Sequence, residues 1–266
     1  MSSFVISPAA PHELLPACRL LFAGRTGPDR DRRAERCRDS LLSGGESSGL
    51  FVARDADGKL RATTLVQALP GAMGVSWPPR GDSPEAEDAV TSAACAWLRS
   101  QRVKVCQAFA ASDEVADMAP LERHGFRHVT QLVFLRRELS PGATPAPTRE
   151  LTFIADGPPF SFEFEGTLLA THEDTRDCPE LNESRTLDEL LRGFTTSASG
   201  EWYLVRRGTE RAGVLMLEFA AEETIDLTYI GVVPAVRGRG IGAELLKFAL
   251  SERGGELESV ALTVNV

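Results

Sequence analysis

Long apolar runs, paired cysteines and basic patches are all missing from this sequence of 266 residues. No stretch approaches the roughly 18 consecutive apolar residues that a membrane-spanning helix needs, and no basic segment followed by an apolar stretch begins the chain. The five cysteines are an odd number, and no two of them have the C-x-x-C spacing of a zinc ribbon. These absences predict a cytoplasmic protein with no disulfide framework and no metal site.

The charge balance is acidic, with 38 Asp and Glu residues against 29 Lys and Arg residues and a net charge of −9. Nucleic acids and anionic membranes attract basic surfaces, so we expect this chain to bind neither. Apolar residues make up 42% of the chain, which is typical of a globular protein. Small molecules and proteins remain as expected partners, and self-association stays open.

A proline-rich segment, SPGATPAPT at residues 140–148, divides the chain. Its composition is typical of an extended linker, because proline interrupts both helices and strand ladders. On either side of it the apolar pattern predicts the same order of strand, helix, hairpin, strand, helix and strand. We therefore expect two α/β domains, at residues 1–139 and 149–266, related as a tandem duplication.

The most informative segment is VVPAVRGRGIGAELL, residues 232–246, where a glycine-rich turn joins a strand pattern to a helix pattern. The first N–H groups of a helix have no partner within it, and the helix dipole adds partial positive charge at that end. Gly238, Gly240 and Gly242 allow a ligand to approach the backbone, and Arg237 and Arg239 add positive charge. This combination predicts a site for a phosphate or pyrophosphate.

Two well-known phosphate loops fit this segment poorly. A Walker A loop ends in Lys followed by Ser or Thr, whereas Lys247 lies within the predicted helix and is followed by neither. The dinucleotide fingerprint G-x-G-x-x-[GA] matches GRGIGA, but only 24 residues follow Gly242, too few for the rest of that fold. A glycine-rich turn without any ligand is the remaining alternative.

The segment resembles the acetyl-CoA-binding motif of the GNAT N-acetyltransferase family, [RQ]-x-x-G-x-[GA], which Arg237, Gly240 and Gly242 match. The preceding YIGVVP and the later ALTV are similar to the fourth and fifth strands of that family. The resemblance implies tandem GNAT-like domains, each with a mixed, mostly antiparallel sheet, helices on both faces, and acetyl-CoA as co-substrate. Only one glycine remains in the equivalent segment of the first half, PPRGDSPEAED, so we expect that domain to be degenerate.

The resemblance also implies roles for the fourth strand and the loop. Backbone groups of residues 230–233 are expected to pair with the pantetheine arm, and an N–H group near Val232 to polarise the thioester carbonyl. N–H groups of residues 237–242 are expected to hold the pyrophosphate. The expected cofactor-binding residues are Ile230, Gly231, Val232, Val233, Arg237, Gly238, Arg239, Gly240, Ile241 and Gly242.

Acetyl transfer to a primary amine, on a small molecule or a protein, requires a base because only the neutral amine attacks. Asp226 lies early on the fourth-strand pattern, where family members often carry an acid, and Glu218 on the neighbouring strand is the second candidate. Tyr229 or Tyr203 is the candidate acid for the leaving thiolate, and a packing role is the alternative for both. The alternatives are a surface role for Asp226 and, for the whole protein, a non-catalytic acyl-CoA-binding or regulatory module.

The second half ends at LTVNV, without counterparts of the helix and strand patterns DEVADMAPLERHGF and RHVTQLVFLRREL that close the first half. In the GNAT family the last helix and strand complete the sheet. We therefore expect that the second domain lacks its last helix and strand, either as a truncated copy or with another element of the chain in their place.

Overall fold

The computed structural model describes residues 4–24, 27–44, 49–138, 150–175, 184–194, 200–220, 224–251 and 259–265. Contacts between residues divide the chain into two compact units, Met1–His128 and Val129–Val266. This division precedes the predicted linker, whose residues 140–148 lie outside the described residues. None of the helices in the described ranges is long and apolar enough to cross a membrane.

The first unit is a six-stranded sheet with helices. Its strands are β1 (Val5–Pro8), β2 (Leu50–Arg54), β3 (Leu60–Leu69), β4 (Met73–Ser76), β5 (Arg80–Gly81) and β6 (Val105–Ala108). Its helices are α1 (Leu14–Leu21), α2 (Gly27–Gly44), α3 (Pro84–Ser100) and α4 (Ala119–Arg123). The strand order is β1-β2-β3-β4-β6, with β5 on β3, and only β4 and β6 run parallel.

Helix α3 shows how the sequence builds this unit. Ser83 caps its first turn by accepting a hydrogen bond from the N–H of Ala86 at 3.2 Å, and Pro84 occupies the first helical position. Buried residues then recur every fourth position, which places them on one face of the helix. These residues, Ala86, Val90, Ala94 and Leu98, pack against the sheet.

The second unit is also a six-stranded sheet. Its strands are β7 (Leu132–Glu138), β8 (Leu151–Asp156), β9 (Gly200–Arg207), β10 (Glu210–Ala220), β11 (Thr224–Val232) and β12 (Ser259–Asn265). Its helices are α5 (Phe162–His172), α6 (Leu187–Phe194) and α7 (Ile241–Ser251). The order is β7-β12-β11-β10-β9-β8, and only β11 and β12 run parallel. The predicted fold class, α/β with mixed and mostly antiparallel sheets, is confirmed.

Apolar side chains along the strands of the second sheet alternate between its two faces, so both faces are covered by helices. One set, which includes Val205, Leu215 and Leu217, packs under α7 against Leu245 and Phe248. The other set packs under α5 and α6, against Phe164 and Leu168 of α5; its buried members are Trp202, Leu204, Val214 and Met216. The α7 face and the α5 face therefore have separate cores.

Strand β7 belongs to the second sheet, although the sequence predicts it as the last strand of the first domain. It pairs antiparallel with β12 over seven residues, from Leu132 opposite Asn265 to Glu138 opposite Ser259. The pattern of LVFLRRE identifies a strand, but pairing depends on contacts that are distant in sequence. β7 occupies the edge beside β12, where the sequence predicts a missing strand, so the second sheet is completed from the chain that precedes the linker.

The placement of β7 predicts how the chain can be divided. A chain of residues 129–266 should unfold cooperatively in urea, whereas a chain of residues 149–266 should be several kcal/mol less stable. The reason is the loss of a ladder in which each hydrogen bond contributes about 1 kcal/mol. Circular dichroism during urea titration measures both.

The matched control extends the first unit from residue 128 to residue 139. This extension should not raise its stability, because β7 does not pair with the first sheet. Equal stability of the 129–266 and 149–266 chains, or stabilisation of the first unit by the extension, would contradict the observed pairing.

Candidate functional site

Strands β11 and β12 are joined only where they begin. Thr224, Ile225 and Asp226 pair with Ser259, Val260 and Ala261. Beyond this point β11 continues alongside β10 to Val232, and β12 continues alongside β7 to Asn265. The two parallel strands therefore separate toward their carboxyl ends. Among the described strands, none pairs with the exposed edge of β11 along residues 227–232.

A β-bulge lies where the strands separate. Met216 is opposite Tyr229 and Leu217 is opposite Leu227, so Thr228 is an extra residue on β11. Its hydroxyl donates to the carbonyl of Met216 at 3.1 Å, which holds the bulge against β10. Bulges bend and twist a strand locally, and this one turns β11 at the start of the gap.

The backbone of Ile230 and Val232 faces the gap. On the other edge, the N–H of Val233 donates to the carbonyl of Ala212 at 3.0 Å, and the carbonyl oxygen of Gly231 lies 2.1 Å from the position that a Cβ on Gly213 would take. Backbone polar groups of neighbouring residues in an extended chain point to opposite edges. Of the four residues predicted to pair with pantetheine, Ile230 and Val232 thus present backbone groups to the gap, whereas Gly231 and Val233 face β10.

The loop after β11 presents unbonded N–H groups. Ala243 and Glu244 donate their N–H groups to the carbonyl of Gly240 at 3.1 and 3.3 Å, which closes the first turn of α7. For the residues before them, 238–242, the described part of the chain contains no backbone acceptor. Free N–H groups at a helix start are suited to an anion, as the sequence predicts.

The three loop glycines have different reasons to be glycine. Gly238 and Gly240 have φ angles of 74° and 79°, in the left-handed region that other residues adopt at a cost. Gly242 lies in the first turn of α7, and a Cβ there would meet only Cγ2 of Val232, at 4.0 Å. The backbone therefore requires glycine at 238 and 240, and tolerates a methyl group at 242.

The two loop arginines point to different surroundings. The side chain of Arg239 is exposed and makes no ion pair or hydrogen bond with the residues that the structure describes. Arg237 instead donates to carbonyl oxygens of Val232 at 2.9 Å, Thr171 at 2.9 Å and Asp174 at 3.1 Å. The sequence predicts both as phosphate ligands, whereas the structure turns the Arg237 guanidinium toward the protein backbone.

A cavity of about 280 Å³ lies between the end of α5 and the carboxyl end of β11. It is lined by Thr171, Asp174, Thr175, Tyr229, Ile230, Gly231, Val232 and Arg237. The sequence motif predicts five of these residues; Thr171, Asp174 and Thr175 belong to no motif and approach β11 only in the folded chain. The cavity thus adjoins both the open edge of β11 and the loop.

Tyr229 is held tightly in this cavity. Its ring stacks on His172 with centroids 5.5 Å apart and contacts Phe194 at 5.6 Å. Its hydroxyl lies 2.8 Å from that of Thr171, which donates its only proton to the carbonyl of Leu168 at 2.6 Å. Tyr229 must therefore be the donor to Thr171, so its predicted role as an acid requires this hydrogen bond to open.

Asp226 and Glu218, the two candidate bases, lie directly opposite each other on β11 and β10. Their neighbours Leu217, Ile225 and Leu227 face α7, so both acids lie on the α5 face of the sheet, as Tyr229 does. Burial, and secondarily the charge of Glu218, raises the pKa of Asp226 above its ordinary value. Neither acid lines the cavity: Asp226 precedes Tyr229 by three residues, up to about 10 Å along the strand.

The first unit is closed at the corresponding place. Its parallel strands β4 and β6 pair over all four residues of each, from Met73 with Val105 to Ser76 with Ala108, so no gap opens between them. At the start of α3, Glu87 accepts a hydrogen bond from the N–H of Gly81 at 3.1 Å, and burial raises the pKa of this carboxyl group. The protein's own acid lies where an anionic ligand would approach.

The chain is similar to a known protein family in sequence and to known proteins in structure. Residues 168–265 match the model of the acetyltransferase (GNAT) family. A GCN5-related N-acetyltransferase from Sphaerobacter thermophilus is similar in structure, with a TM-score of 0.59 and 17% identity, over 99% of this chain and 87% of that one. A tandem GNAT protein from the clavulanic acid biosynthesis pathway has a TM-score of 0.50 and 16% identity, over 98% and 90% of the two chains.

A glucosamine N-acetyltransferase region in a fungal multi-domain GH3 β-N-acetylglucosaminidase is also similar, with a TM-score of 0.57 and 14% identity, over 98% of this chain and 35% of that one. No curated protein matches the sequence. At these identities the structural similarity establishes a GNAT-like fold. The family match adds that residues 168–265 are similar in sequence to the acetyltransferase (GNAT) family.

The pairing of Glu218 with Asp226 predicts a measurable change. Glu218→Gln should lower the pKa of Asp226, because it removes a negative charge opposite that carboxyl group. A carboxyl group whose pKa is raised by folding opposes folding once the pH exceeds its pKa in the unfolded chain. The substitution should therefore also raise the free energy of unfolding at pH 7.

NMR titration of the Asp226 carboxyl carbon and urea unfolding measure these two effects. Glu210→Gln, an exposed change at the other end of β10, is the matched control and should leave the pKa of Asp226 unchanged. If Glu218→Gln also leaves that pKa unchanged, the two carboxylates do not interact.

Proposed function

We propose that the second unit transfers an acetyl group from acetyl-CoA to a primary amine by direct attack. The observation that carries the proposal is the separation of β11 and β12 immediately before a loop of unbonded N–H groups. An extended arm can add to the open edge of β11 while a pyrophosphate binds at the start of α7. The GNAT match at residues 168–265 supports acyl transfer as the reaction class.

The residues present fit acetyl-CoA. Ile230 offers its N–H and carbonyl groups to the amides of the pantetheine arm, since they face the gap. The carbonyl of Val232 already accepts a hydrogen bond from Arg237, so Val232 offers its N–H. The N–H groups of residues 238–242 hold the pyrophosphate, and exposed Arg239 adds positive charge beside it. The N–H of Val232 polarises the thioester carbonyl, in the manner of an oxyanion hole.

In the proposed reaction the neutral amine nitrogen attacks the thioester carbon, the carbon–sulfur bond breaks, and the sulfur leaves as a thiolate. The nitrogen loses a proton as the amide forms, and the thiolate takes up one proton to give the thiol, so this step balances. Asp226 accepts the proton of the incoming ammonium group, through water where the distance requires it. The raised pKa of Asp226 suits this role, because it brings the base closer to the pKa of the group that it deprotonates.

Two observations favour a second candidate, an acyl-CoA-binding module without turnover. The hydroxyl of Tyr229 donates to Thr171, and neither Asp226 nor Glu218 lines the cavity. A protein that only senses acyl-CoA needs the loop and the open edge but no acid or base. The two candidates agree on binding and differ in the release of CoA.

We also propose that the two units are tandem GNAT-like domains, of which the first is a scaffold without cofactor. The full pairing of β4 with β6 and the position of Glu87 support this assignment. It implies that each chain binds one molecule of acetyl-CoA.

Calorimetric titration with acetyl-CoA, combined with an assay for released thiol over a panel of primary amines, tests the proposal. We expect one bound acetyl-CoA per chain and amine-dependent CoA release. Gly240→Ala should weaken binding about tenfold, because a left-handed Ala costs about 1–2 kcal/mol. Asp226→Asn should lower kcat at least about tenfold and leave binding intact.

Gly242→Ala is the matched control for the loop, since its methyl group has space in the protein, and it should bind as the native chain does. Binding without CoA release for any amine would reject the transferase and leave the binding module. Absence of acetyl-CoA binding would reject both candidates.

A further inference from the structure

The side chain of Arg237 joins two elements that form the cavity. Its Nε donates to the carbonyl of Val232, the last residue of β11, while its two Nη atoms donate to the carbonyls of Thr171 and Asp174. The last carbonyls of a helix have no partner within it, and Thr171 lies in the last turn of α5. Arg237 therefore completes the hydrogen bonding at the end of α5 and fastens that end to β11.

Thr171 continues this connection into the cavity. Its hydroxyl accepts the hydrogen bond of Tyr229, and its backbone carbonyl accepts that of Arg237. At Gly231 a Cβ would come within 2.7 Å of the Thr171 side chain, so the helix and the strand touch here. Movement of the α5 end would alter the wall of the cavity beside Ile230 and Val232, where the thioester is proposed to lie.

The geometry points to Arg237 as a positioning residue rather than a phosphate ligand. It fixes against β11 the cavity wall that the end of α5 forms, on the same face of the sheet as the proposed base Asp226, from which the amine is proposed to approach. Its own backbone begins the loop that is proposed to hold the pyrophosphate. Its substitution should therefore disturb the amine acceptor more than acetyl-CoA. This inference rests on the proposed function, and it assigns the contact with phosphate to Arg239 instead.

Three substitutions separate geometry from charge. Arg237→Gln removes the charge but retains N–H donors, and Arg237→Lys retains the charge but loses the planar guanidinium. Arg237→Met loses the charge and every N–H donor of the side chain. Arg239→Gln is the matched control, an equal loss of charge two residues away on an exposed side chain. Circular dichroism establishes that each variant is folded.

Hydrogen–deuterium exchange of the peptide that spans the end of α5 gives a readout that needs no turnover. Arg237→Met should raise exchange there at least about tenfold, because three hydrogen bonds are lost, and Arg239→Gln should not change it. In the steady state, Arg237→Met should raise the acceptor KM about tenfold and change the Kd of acetyl-CoA less than about threefold. Arg239→Gln should show the reverse, and Arg237→Gln, which loses the charge but keeps N–H donors, should also change the Kd of acetyl-CoA less than about threefold.

The opposite pattern would overturn the inference. In that pattern Arg237→Met exchanges at the end of α5 as the native chain does, Arg237→Gln raises the Kd of acetyl-CoA, and Arg237→Lys restores that Kd. If Arg237→Met does not fold, the comparison of Gln with Lys decides the same question. If the native protein binds acetyl-CoA but releases no CoA, the proposed function fails, while the exchange and Kd measurements still test the role of Arg237.

Discussion

Three residue pairs join β11 to β12, and the proposed chemistry requires that the pairing stops after the third. A parallel pair that continued to the ends of both strands would satisfy the backbone of Ile230 and Val232 and leave no room for an extended arm. Because pairing stops at Asp226, the edge of β11 stays open up to the loop that starts α7. The bulge at Thr228, the left-handed glycines and the hydrogen bonds of Arg237 all act on this short stretch of chain.

Because β11 and β12 share so few residue pairs, another strand must hold β12 in the sheet. β12 has only a short ladder with β11, and its long ladder is with β7, over seven residues. In the second sheet, therefore, β12 and β7 are paired along their full length, whereas β11 and β12 separate after three residue pairs. The first unit shows the alternative, since β4 and β6 pair along their full length and Glu87 occupies the approach to α3. The two units thus have a similar arrangement of strands and helices, with the parallel strands separated in the second unit and fully paired in the first.

Local features of the site could be predicted from the sequence, and features that depend on tertiary contact could not. The loop with Gly238 and Gly240 and the order of elements follow from turn chemistry and apolar periodicity, both properties of neighbouring residues. The partner of β7 does not, because LVFLRRE fits either sheet equally well. The contacts of Arg237 could not be predicted either. Its motif predicts an anion as its partner, whereas the carbonyls that it contacts, at Thr171 and Asp174, lie 66 and 63 residues earlier in the chain.

The most direct test of the open edge is hydrogen–deuterium exchange of the full chain with and without acetyl-CoA, resolved to single amides. The ligand should slow exchange at Ile230, Val232 and the loop amides of residues 238–242, and should leave exchange in the strand Met73–Ser76 of the first unit unchanged. Unaltered exchange along β11 at saturating ligand, or protection of the first unit in its place, would contradict binding at the open edge.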